Sequence, residues 1–442
     1  TASQTAPATL IVNEKATGET MMRNLALCLL LAVLPAVSAR AAEDQAAAPP
    51  WKAGVASAVI TPQIPLRMAG YAGRKDPAEG TEQDLFAKAL AIEDADGNRV
   101  VILSMDLIGV IDRLRTAVAE QVEQKYQLPP EALLMNASHT HCGPAYGRDE
   151  AKDYFDSLTV TLVDLVGKAI EQIQPASLSY CRARCGFAMN RRTPTANGYR
   201  NHPNPDGPVD HTVPVLRVAG AGGELRAMLF GYTCHNTTMG FLRWLGDYAG
   251  YAQEYFEKDH PGATAMFLMG CSADQNPYPR SELDYAKKHG RSLATAVEAA
   301  LEVGQRTPLH QRPLAGPLRC VLEMVNLESA TPNRPDCAYP VQIIRFGDGL
   351  AIVALGQEVV VDYALRLKRE LAEEGGPAIW VAGYSNSYDD YIASARVLEE
   401  GGYEAQCCPW KPTLEERIVG KVHELHNRLG NTSAKPSAEG SK

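Results

Sequence analysis

The sequence predicts an α/β fold built on a mixed, largely parallel sheet with flanking helices. The alternation of strand-like and helix-like segments and the continuous apolar character of the strands lead to this prediction. Nearly continuous apolar segments alternate along the chain with segments whose apolar residues recur at helical spacing. Such apolar strands are typical of parallel sheets in which both faces are covered. Because ligands of these sheets bind beyond the carboxyl ends of the strands, we expect the functional site, and any metal, at that edge.

Composition and charge narrow the class of protein. The 442-residue chain is 45% hydrophobic and 21% charged, which is typical of globular domains and sufficient for one large or two medium ones. Its formal net charge is -9, and its Lys and Arg residues form no cluster along the sequence. We therefore expect no nucleic-acid partner.

The N-terminal region predicts export. Residues 22–41 read as a secretory signal peptide, with a positive charge at Arg23, an apolar core over residues 25–37 and small residues near position 41. This core is too short for a mature membrane helix, and we expect no transmembrane span elsewhere. Residues 1–21 are interpreted as a non-native upstream segment. The mature protein is therefore expected to be secreted or periplasmic.

The first predicted unit after this region is a β-α-β unit. It consists of a strand over residues 99–107, a helix over 111–126 and a strand over 132–136. The crossover is expected to be right-handed. Asp106 and His139 then lie beyond the carboxyl ends of neighbouring strands.

The later elements follow the same alternation, except for an irregular polar stretch expected over residues 182–207. We predict a helix over 150–174, strands over 213–218 and 225–233 joined by a glycine-rich turn, and a short helix after residue 250. Further strands are expected over 263–270, 318–327, 341–346, 350–355 and 378–382, and further helices over 281–301 and 359–371. The polar tail over 430–442 is expected to be disordered.

A polar motif follows the strand over residues 132–136. In an extended backbone, residues two apart point to the same side, so His139 and His141 can face one cavity before Gly143 and Pro144 turn the chain. Neutral imidazole is a good zinc ligand and also the usual general acid or base. For an isolated motif of this kind, a solvated polar loop is the alternative interpretation.

Three other strand ends carry candidate ligands. His235 follows the strand over 225–233, Glu358 follows the strand over 350–355, and a tyrosine cluster that includes Tyr391 follows the strand over 378–382. Each also has a structural interpretation, as a core histidine, a helix N-cap neighbour or a packed aromatic. Together they share one place in the architecture, and two histidines with a carboxylate and an open position suit catalytic zinc.

The ordered motifs resemble the neutral/alkaline non-lysosomal ceramidase family. They extend over most of the predicted mature chain, from Ile60-Thr61-Pro62 and Met68-Ala69-Gly70-Tyr71-Ala72 onward. The later motifs are His139-Thr140-His141, His235-Asn236-Thr237-Thr238-Met239, Gly246-Asp247-Tyr248-Ala249-Gly250-Tyr251, Gly356-Gln357-Glu358, and Tyr388-Asp389-Asp390-Tyr391 through Tyr403-Glu404.

The resemblance implies a zinc-dependent amidase that splits an N-acyl bond, in ceramidases the bond between fatty acid and sphingoid base. It implies that four residues bind Zn2+: His139, His235, Glu358 and Tyr391. It assigns catalytic roles to His141, Arg191 and Tyr403. Arg192 is a rival for the position of Arg191, because the arginine segment is altered relative to the family pattern.

These observations predict one zinc hydrolase domain over residues 51–429. We expect it to cleave the amide of ceramide (N-acylsphingosine) or of a related lipid, with peripheral contact to a membrane surface among its interactions. An immunoglobulin-like domain, which follows the catalytic domain in ceramidases proper, is not expected after Tyr403. The alternatives are a zinc hydrolase of a different amide or ester, and an exported binding protein that keeps the scaffold without catalysis.

Overall fold

The computed structural model describes residues 51–306 and 311–431 of the chain. The predicted signal peptide, the segment before it and residues 432–442 lie outside the described residues. No helix within the described ranges combines the length and the apolarity that a membrane span requires. The last described helix continues to Asn431, so the first two residues of the predicted tail are helical.

Strands outnumber helices in the described ranges. The strands are β1 (Trp51–Val59), β2 (Gly80–Thr81), β3 (Phe86–Asp94), β4 (Arg99–Met105), β5 (Leu133–Ala137), β6 (Gln174–Arg184), β7 (Ala188–Thr195), β8 (Gly198–Asn204), β9 (Thr212–Gly220), β10 (Leu225–Tyr232), β11 (Arg243–Trp244), β12 (Thr264–Met269), β13 (Gln275–Pro277), β14 (Arg312–Pro313), β15 (Leu318–Leu327), β16 (Cys337–Phe346), β17 (Leu350–Leu355), β18 (Glu358–Val359), β19 (Ala378–Ala382) and β20 (Tyr391–Ile392). The helices are α1 (Asp112–Tyr126), α2 (Lys152–Glu171), α3 (Asp247–Asp259), α4 (Leu283–Arg306), α5 (Val361–Glu370), α6 (Ala395–Glu400), α7 (Tyr403–Gln406) and α8 (Leu414–Asn431).

The largest sheet has the strand order β12-β10-β9-β6-β1-β3-β4-β5, with β14 paired to β6. The predicted β-α-β unit is present as β4, α1 and β5, and β4 pairs with β5 in parallel. The pair β10 and β12 is also parallel. All other pairs of this sheet are antiparallel. The mixed α/β class with flanking helices is therefore confirmed, whereas the predominance of parallel strands is not found.

A second sheet, of order β15-β16-β17-β19, packs against the first. The two faces of β4 show this: Val101 and Leu103 pack against α1 and α2, whereas Val100 and Ile102 pack in a core shared with Ile352 of β17. Helices α5 and α8 cover the other face of the second sheet. Two sheets thus lie face to face between outer layers of helices.

This arrangement explains the difference in strand direction. The apolar strands are buried on both faces, as predicted, but one cover is a helix layer and the other is a second sheet. Burial on both faces does not require parallel strands, and here most neighbours in the large sheet are antiparallel.

The polar stretch over residues 182–207 is more regular than predicted. It contains the end of β6 and the hairpin β7–β8, and β13 pairs with β7 to complete a small three-stranded sheet. Strand β8 is largely exposed, so it carries no alternation of apolar and polar residues that the sequence could show. The hairpin places Arg191 and Arg192 beside the site described below.

Candidate active site and metal centre

The predicted ligands come from the carboxyl ends of strands in both sheets. His139 and His235 follow β5 and β10 of the large sheet, whereas Glu358 and Tyr391 follow β17 and β19 of the second sheet. A parallel bridge between Thr140 and Asn236 joins the two histidine segments. Glu358 is paired with Tyr391 where β18 runs parallel to β20. The topology therefore brings all four strand ends to one place.

Main-chain carbonyl groups fix the two histidine rings. His139 Nδ1 lies 2.6 Å from the carbonyl oxygen of Ile108, and His235 Nδ1 lies 2.8 Å from that of Ser272. Because a carbonyl only accepts, each Nδ1 carries the proton of the neutral ring and each Nε2 carries a lone pair. Burial lowers the pKa of both imidazoles, so both rings are neutral at pH 7.

The two lone pairs face each other at a distance that suits a shared cation. The Nε2 atoms of His139 and His235 are 3.2 Å apart. Glu358 Oε2 lies 3.5 Å from the first and 3.4 Å from the second. Ligand atoms of tetrahedral zinc, each 2.0–2.1 Å from the metal, are separated by about 3.3 Å. The arrangement therefore fits a metal ion bound by these three groups.

The Glu358 carboxylate supports this interpretation. Its Oε1 accepts a hydrogen bond of 3.2 Å from the Tyr388 hydroxyl, whereas its buried Oε2 has no hydrogen-bond partner within the described ranges. A buried carboxylate oxygen without a donor is costly, and a cation would relieve that cost. Tyr388 in turn is seated against Gly109, where an added Cβ would lie 2.0 Å from the tyrosine ring.

A third imidazole belongs to the same cluster. His141 is buried, its Nε2 lies 3.1 Å from His139 Nε2, and its Nδ1 has no hydrogen-bond partner among the described residues. His139, His141 and His235 together form a group that could hold a metal ion. The structure thus places His141 where it could bind the metal or act beside it.

Gly70 makes room for the ring of His141. The glycine has a φ of +95°, and a Cβ at this position would lie 2.4 Å from His141 Cγ and Nδ1. Tyr71 then contacts the same ring edge-on, with 4.8 Å between the ring centroids. The early glycine-tyrosine motif of the sequence therefore forms the wall that holds His141.

Tyr391 lies at the site, where its hydroxyl contacts Arg191. The tyrosine hydroxyl accepts a hydrogen bond of 3.2 Å from Arg191 Nη2, and Arg191 Nη1 is 3.3 Å from His235 Nε2. Burial and the neighbouring Glu358 raise the pKa of the Tyr391 phenol. The phenol is therefore protonated at pH 7 in this arrangement, and binding a metal would require the loss of that proton.

The two adjacent arginines have different surroundings. Arg191 Nε donates to Glu404 Oε1 at 2.8 Å, and its guanidinium lines the cavity. Arg192 donates to Glu404 Oε2 at 2.6 Å and to Glu400 Oε2 at 3.0 Å, and it does not line the cavity. Arg191 is therefore the arginine at the candidate site.

Tyr403 lies at the mouth of the site. It is the first residue of α7, is 46% exposed, and packs edge-on against Tyr391 with 5.4 Å between the ring centroids. The Arg191 guanidinium lies 5.5 Å from the centroid of its ring.

The cavity above these groups has a volume of about 520 Å³. His141, His235, Glu358 and Tyr391 form part of its wall, together with Arg191, Tyr403 and the segment over residues 67–72. A small-molecule pocket of this size, with perturbed titratable groups on its wall, is suited to a catalytic centre.

The sequence did not show which groups orient the histidines. Asp106, at the neighbouring strand end, does not contact either ring and accepts hydrogen bonds from the Ser138 hydroxyl and from the main-chain N–H of Phe86. Burial raises the pKa of Asp106 to about 6. The carbonyl groups of Ile108 and Ser272 orient the rings, and a main-chain group leaves no residue-type signal in a sequence.

Comparisons with known proteins identify the family of the chain. Residues 51–277 match the family model described as neutral/alkaline non-lysosomal ceramidase, N-terminal. Neutral ceramidase A of Dictyostelium discoideum is 26% identical over 228 residues, which cover 47% of this chain and 32% of that protein. Neutral ceramidase B of the same organism is 28% identical over 243 residues, which cover 49% and 34%. The chain thus spans about a third of the length of these relatives.

Solved structures show the same fold. The crystal structure of neutral ceramidase from Pseudomonas aeruginosa matches with a TM-score of 0.74 at 20% identity, covering 89% of this chain and 77% of that one. A structure described as ceramidase complexed with C2 matches with a TM-score of 0.71 at 18% identity, covering 86% and 76%. Since the family model matches more than half of its residues, the chain belongs to the neutral/alkaline non-lysosomal ceramidase family.

Proposed function

We propose that the protein is an exported zinc-dependent hydrolase that cleaves the N-acyl amide bond of ceramide or of a related lipid amide. The observation that carries this proposal is the convergence of two imidazole lone pairs with Glu358 Oε2, which has no hydrogen-bond partner among the described residues. Membership of the ceramidase family supports the type of bond. The signal-peptide pattern over residues 22–41 supports a secreted or periplasmic location, where a peripheral membrane contact would give access to lipid.

His139, His235 and Glu358 would hold the zinc, with Tyr391 as the fourth protein ligand. When bound, zinc lowers the pKa of a water ligand to about 7 and polarises the amide carbonyl. The described residues supply the remaining functions. The main-chain contacts of His139 and His235 fix the rings, so no reorientation is needed when substrate enters.

Arg191 and Tyr403 are suited to stabilise the negative charge that develops on the amide oxygen. The Arg191 guanidinium is buried and held by Glu404, which limits its reorganisation during the reaction. Tyr403 lies beside it, with its ring centroid 5.5 Å from the guanidinium. Arg191 contacts both His235 and Tyr391, and Tyr403 packs against Tyr391, which supports a role for both donors beside the metal ligands.

His141 is proposed to protonate the leaving amine. Its ring lines the cavity, and its Nε2 lies 3.1 Å from that of His139. Burial lowers the pKa of His141, so the ring is neutral at pH 7 and would take up the proton of the attacking water before it donates a proton to the leaving amine. Coordination by His141 is the alternative that the three-histidine cluster leaves open.

Metal analysis and turnover, measured on the same preparations, test the proposal. The wild-type protein should bind one zinc and release fatty acid from a labelled N-acyl sphingoid base. His235→Ala should lose most of the metal and the activity while keeping its circular dichroism spectrum, because the lost nitrogen is one of the converging ligands. His423→Ala, on α8 and paired with Glu370, is the matched control and should retain both. Full zinc content in His235→Ala would contradict the proposed set of zinc ligands.

A further inference from the structure

The wall of the cavity is strongly cationic. Five arginines line it, against a single carboxylate, that of Glu358, among the described residues: Arg67, Arg74, Arg148, Arg191 and Arg280. The whole chain, in contrast, has a net charge of -9. A positive cavity in an acidic protein attracts negatively charged ligands.

Two of these arginines lie beside the proposed proton donor. Arg74 Nη1 donates a hydrogen bond of 2.7 Å to the carbonyl oxygen of His141, and its guanidinium lies 4.8 Å from the centroid of the Tyr71 ring. Arg280 Nη2 donates a hydrogen bond of 3.2 Å to the Tyr71 hydroxyl. Since Tyr71 packs against His141, both guanidinium groups are close to the reacting centre.

These two guanidinium groups have hydrogen-bond donors that could bind an anion. Their hydrogen-bond acceptors among the described residues are main-chain carbonyls, the Tyr71 hydroxyl and the Cys142 thiol, and no carboxylate is among them. Arg74 Nη2 is buried without a hydrogen-bond partner within the described ranges. Arg191 differs, because Glu404 already neutralises it. A buried donor without an acceptor is costly, and an oxyanion would satisfy it with a charge-assisted hydrogen bond.

The aliphatic part of the cavity wall is small. It consists of Met68, Ile108 and three alanines, Ala69, Ala72 and Ala145, and contains no leucine, valine or phenylalanine among the described residues. A neutral substrate with two long alkyl chains would leave Arg74 and Arg280 without an anionic partner, and beyond this small aliphatic surface it would find only tyrosine rings in the wall.

We propose that the natural substrate is an N-acyl amide that carries a negatively charged oxyanion, a carboxylate or a phosphate, bound by Arg74 and Arg280 beside His141. This inference rests on the proposed hydrolase function and narrows its substrate class. Arginine is suited to this task because its planar donor fork matches carboxylate and phosphate oxygens.

Matched substrate pairs test the inference. One pair is an N-acylglycine and the N-propyl amide of the same fatty acid, and the other is a short-chain ceramide 1-phosphate and the corresponding ceramide. For at least one pair, kcat/KM should be about 10- to 100-fold higher for the anionic member at low ionic strength and should fall with added salt. The pair with the larger ratio distinguishes a carboxylate from a phosphate. Equal or better turnover of both neutral members would overturn the inference.

Variants of the cavity arginines test whether Arg280 causes the preference for the anionic substrate. Arg280→Gln should lower the ratio of kcat/KM for the anionic member to kcat/KM for the neutral member by about 10-fold, and Arg280→Lys should restore part of this ratio. Arg217→Gln is the control, because this arginine donates to the Gly223 carbonyl in a hairpin turn and does not line the cavity. An equal loss for both members in Arg280→Gln would make Arg280 a structural residue.

A binding measurement separates this inference from the proposed reaction. Ketones in which CH2 replaces the scissile NH cannot be hydrolysed as amides, and their affinities are measured by calorimetry for the full chain. Tighter binding of the anionic ketone without turnover of any amide would contradict the hydrolase and retain the anion site. Equal affinity for the anionic and neutral ketones, with turnover of the amides, would contradict the anion site alone.

Discussion

The roles of the two histidines in His139-Thr140-His141 differ at the level of single ring atoms. His139 Nδ1 is held by the Ile108 carbonyl, which aims Nε2 at His235 and Glu358. His141 Nδ1 has no such partner among the described residues, and Gly70 and Tyr71 hold its ring by contact alone. A metal-binding imidazole usually donates its other N–H to a carbonyl or a carboxylate, so a ring without such a bond is better suited to proton transfer than to permanent coordination.

Substitution of each histidine should therefore have a different result. His139→Ala should lower zinc content and activity together, whereas His141→Ala should keep its zinc and lose about 10²- to 10⁴-fold in kcat, as expected for removal of a general acid or base. Metal analysis and turnover of both variants provide the measurement. Equal loss of zinc would make His141 a ligand, and full activity in His141→Ala would remove it from the mechanism.

The same residues show how far the sequence could predict the site. The residue types at the strand ends indicated His139, His235 and Glu358, which the structure brings within 3.5 Å of one another. Four non-glycine residues near these strand ends have positive φ, namely His139 (57°), Gln357 (63°), Tyr384 (49°) and Asn386 (62°). Such backbone strain is maintained by tertiary contacts and has no pattern in the sequence.

Among the elements, the hairpin β7–β8 and helix α7 depend on each other through Glu404. This buried carboxylate accepts from both Arg191 and Arg192, and the first of these reaches Tyr391 and His235. The sequence predicted an irregular stretch here because the exposed strand β8 lacks apolar alternation. The element that carries the arginine was therefore missed, although the arginine itself was identified.

Loss of the Glu404 carboxylate should destabilise the protein. Glu404→Ala leaves two buried guanidinium groups without their shared partner, so the free energy of unfolding should fall by about 3–5 kcal/mol. Urea unfolding followed by circular dichroism measures this change. The control Glu399→Ala, at an exposed position on α6, should stay within about 0.5 kcal/mol of the wild type. A similarly small change for Glu404→Ala would mean that water replaces the hydrogen bonds that the two arginines lose.

For the whole molecule, the candidate metal centre lies where two sheets meet. The large sheet supplies His139 and His235, and the second sheet supplies Glu358 and Tyr391. The sequence predicted the apolar strands correctly but not the packing of one sheet on another. A strand that is buried on both faces has the same apolar sequence pattern whether a helix or a second sheet covers it. Strands such as β3, which contains three alanines and the buried Lys88, were missed because their composition has weak β propensity.

Anomalous diffraction at the zinc edge from crystals of the full chain tests the proposed metal centre most directly. We predict one strong peak bound by His139 Nε2, His235 Nε2, Glu358 Oε2 and the Tyr391 hydroxyl oxygen at roughly 2.0–2.2 Å, the usual distances for zinc with nitrogen and oxygen ligands. A peak bound by the three imidazoles without Glu358, or the lack of any peak in crystals grown with zinc, would contradict the proposed centre.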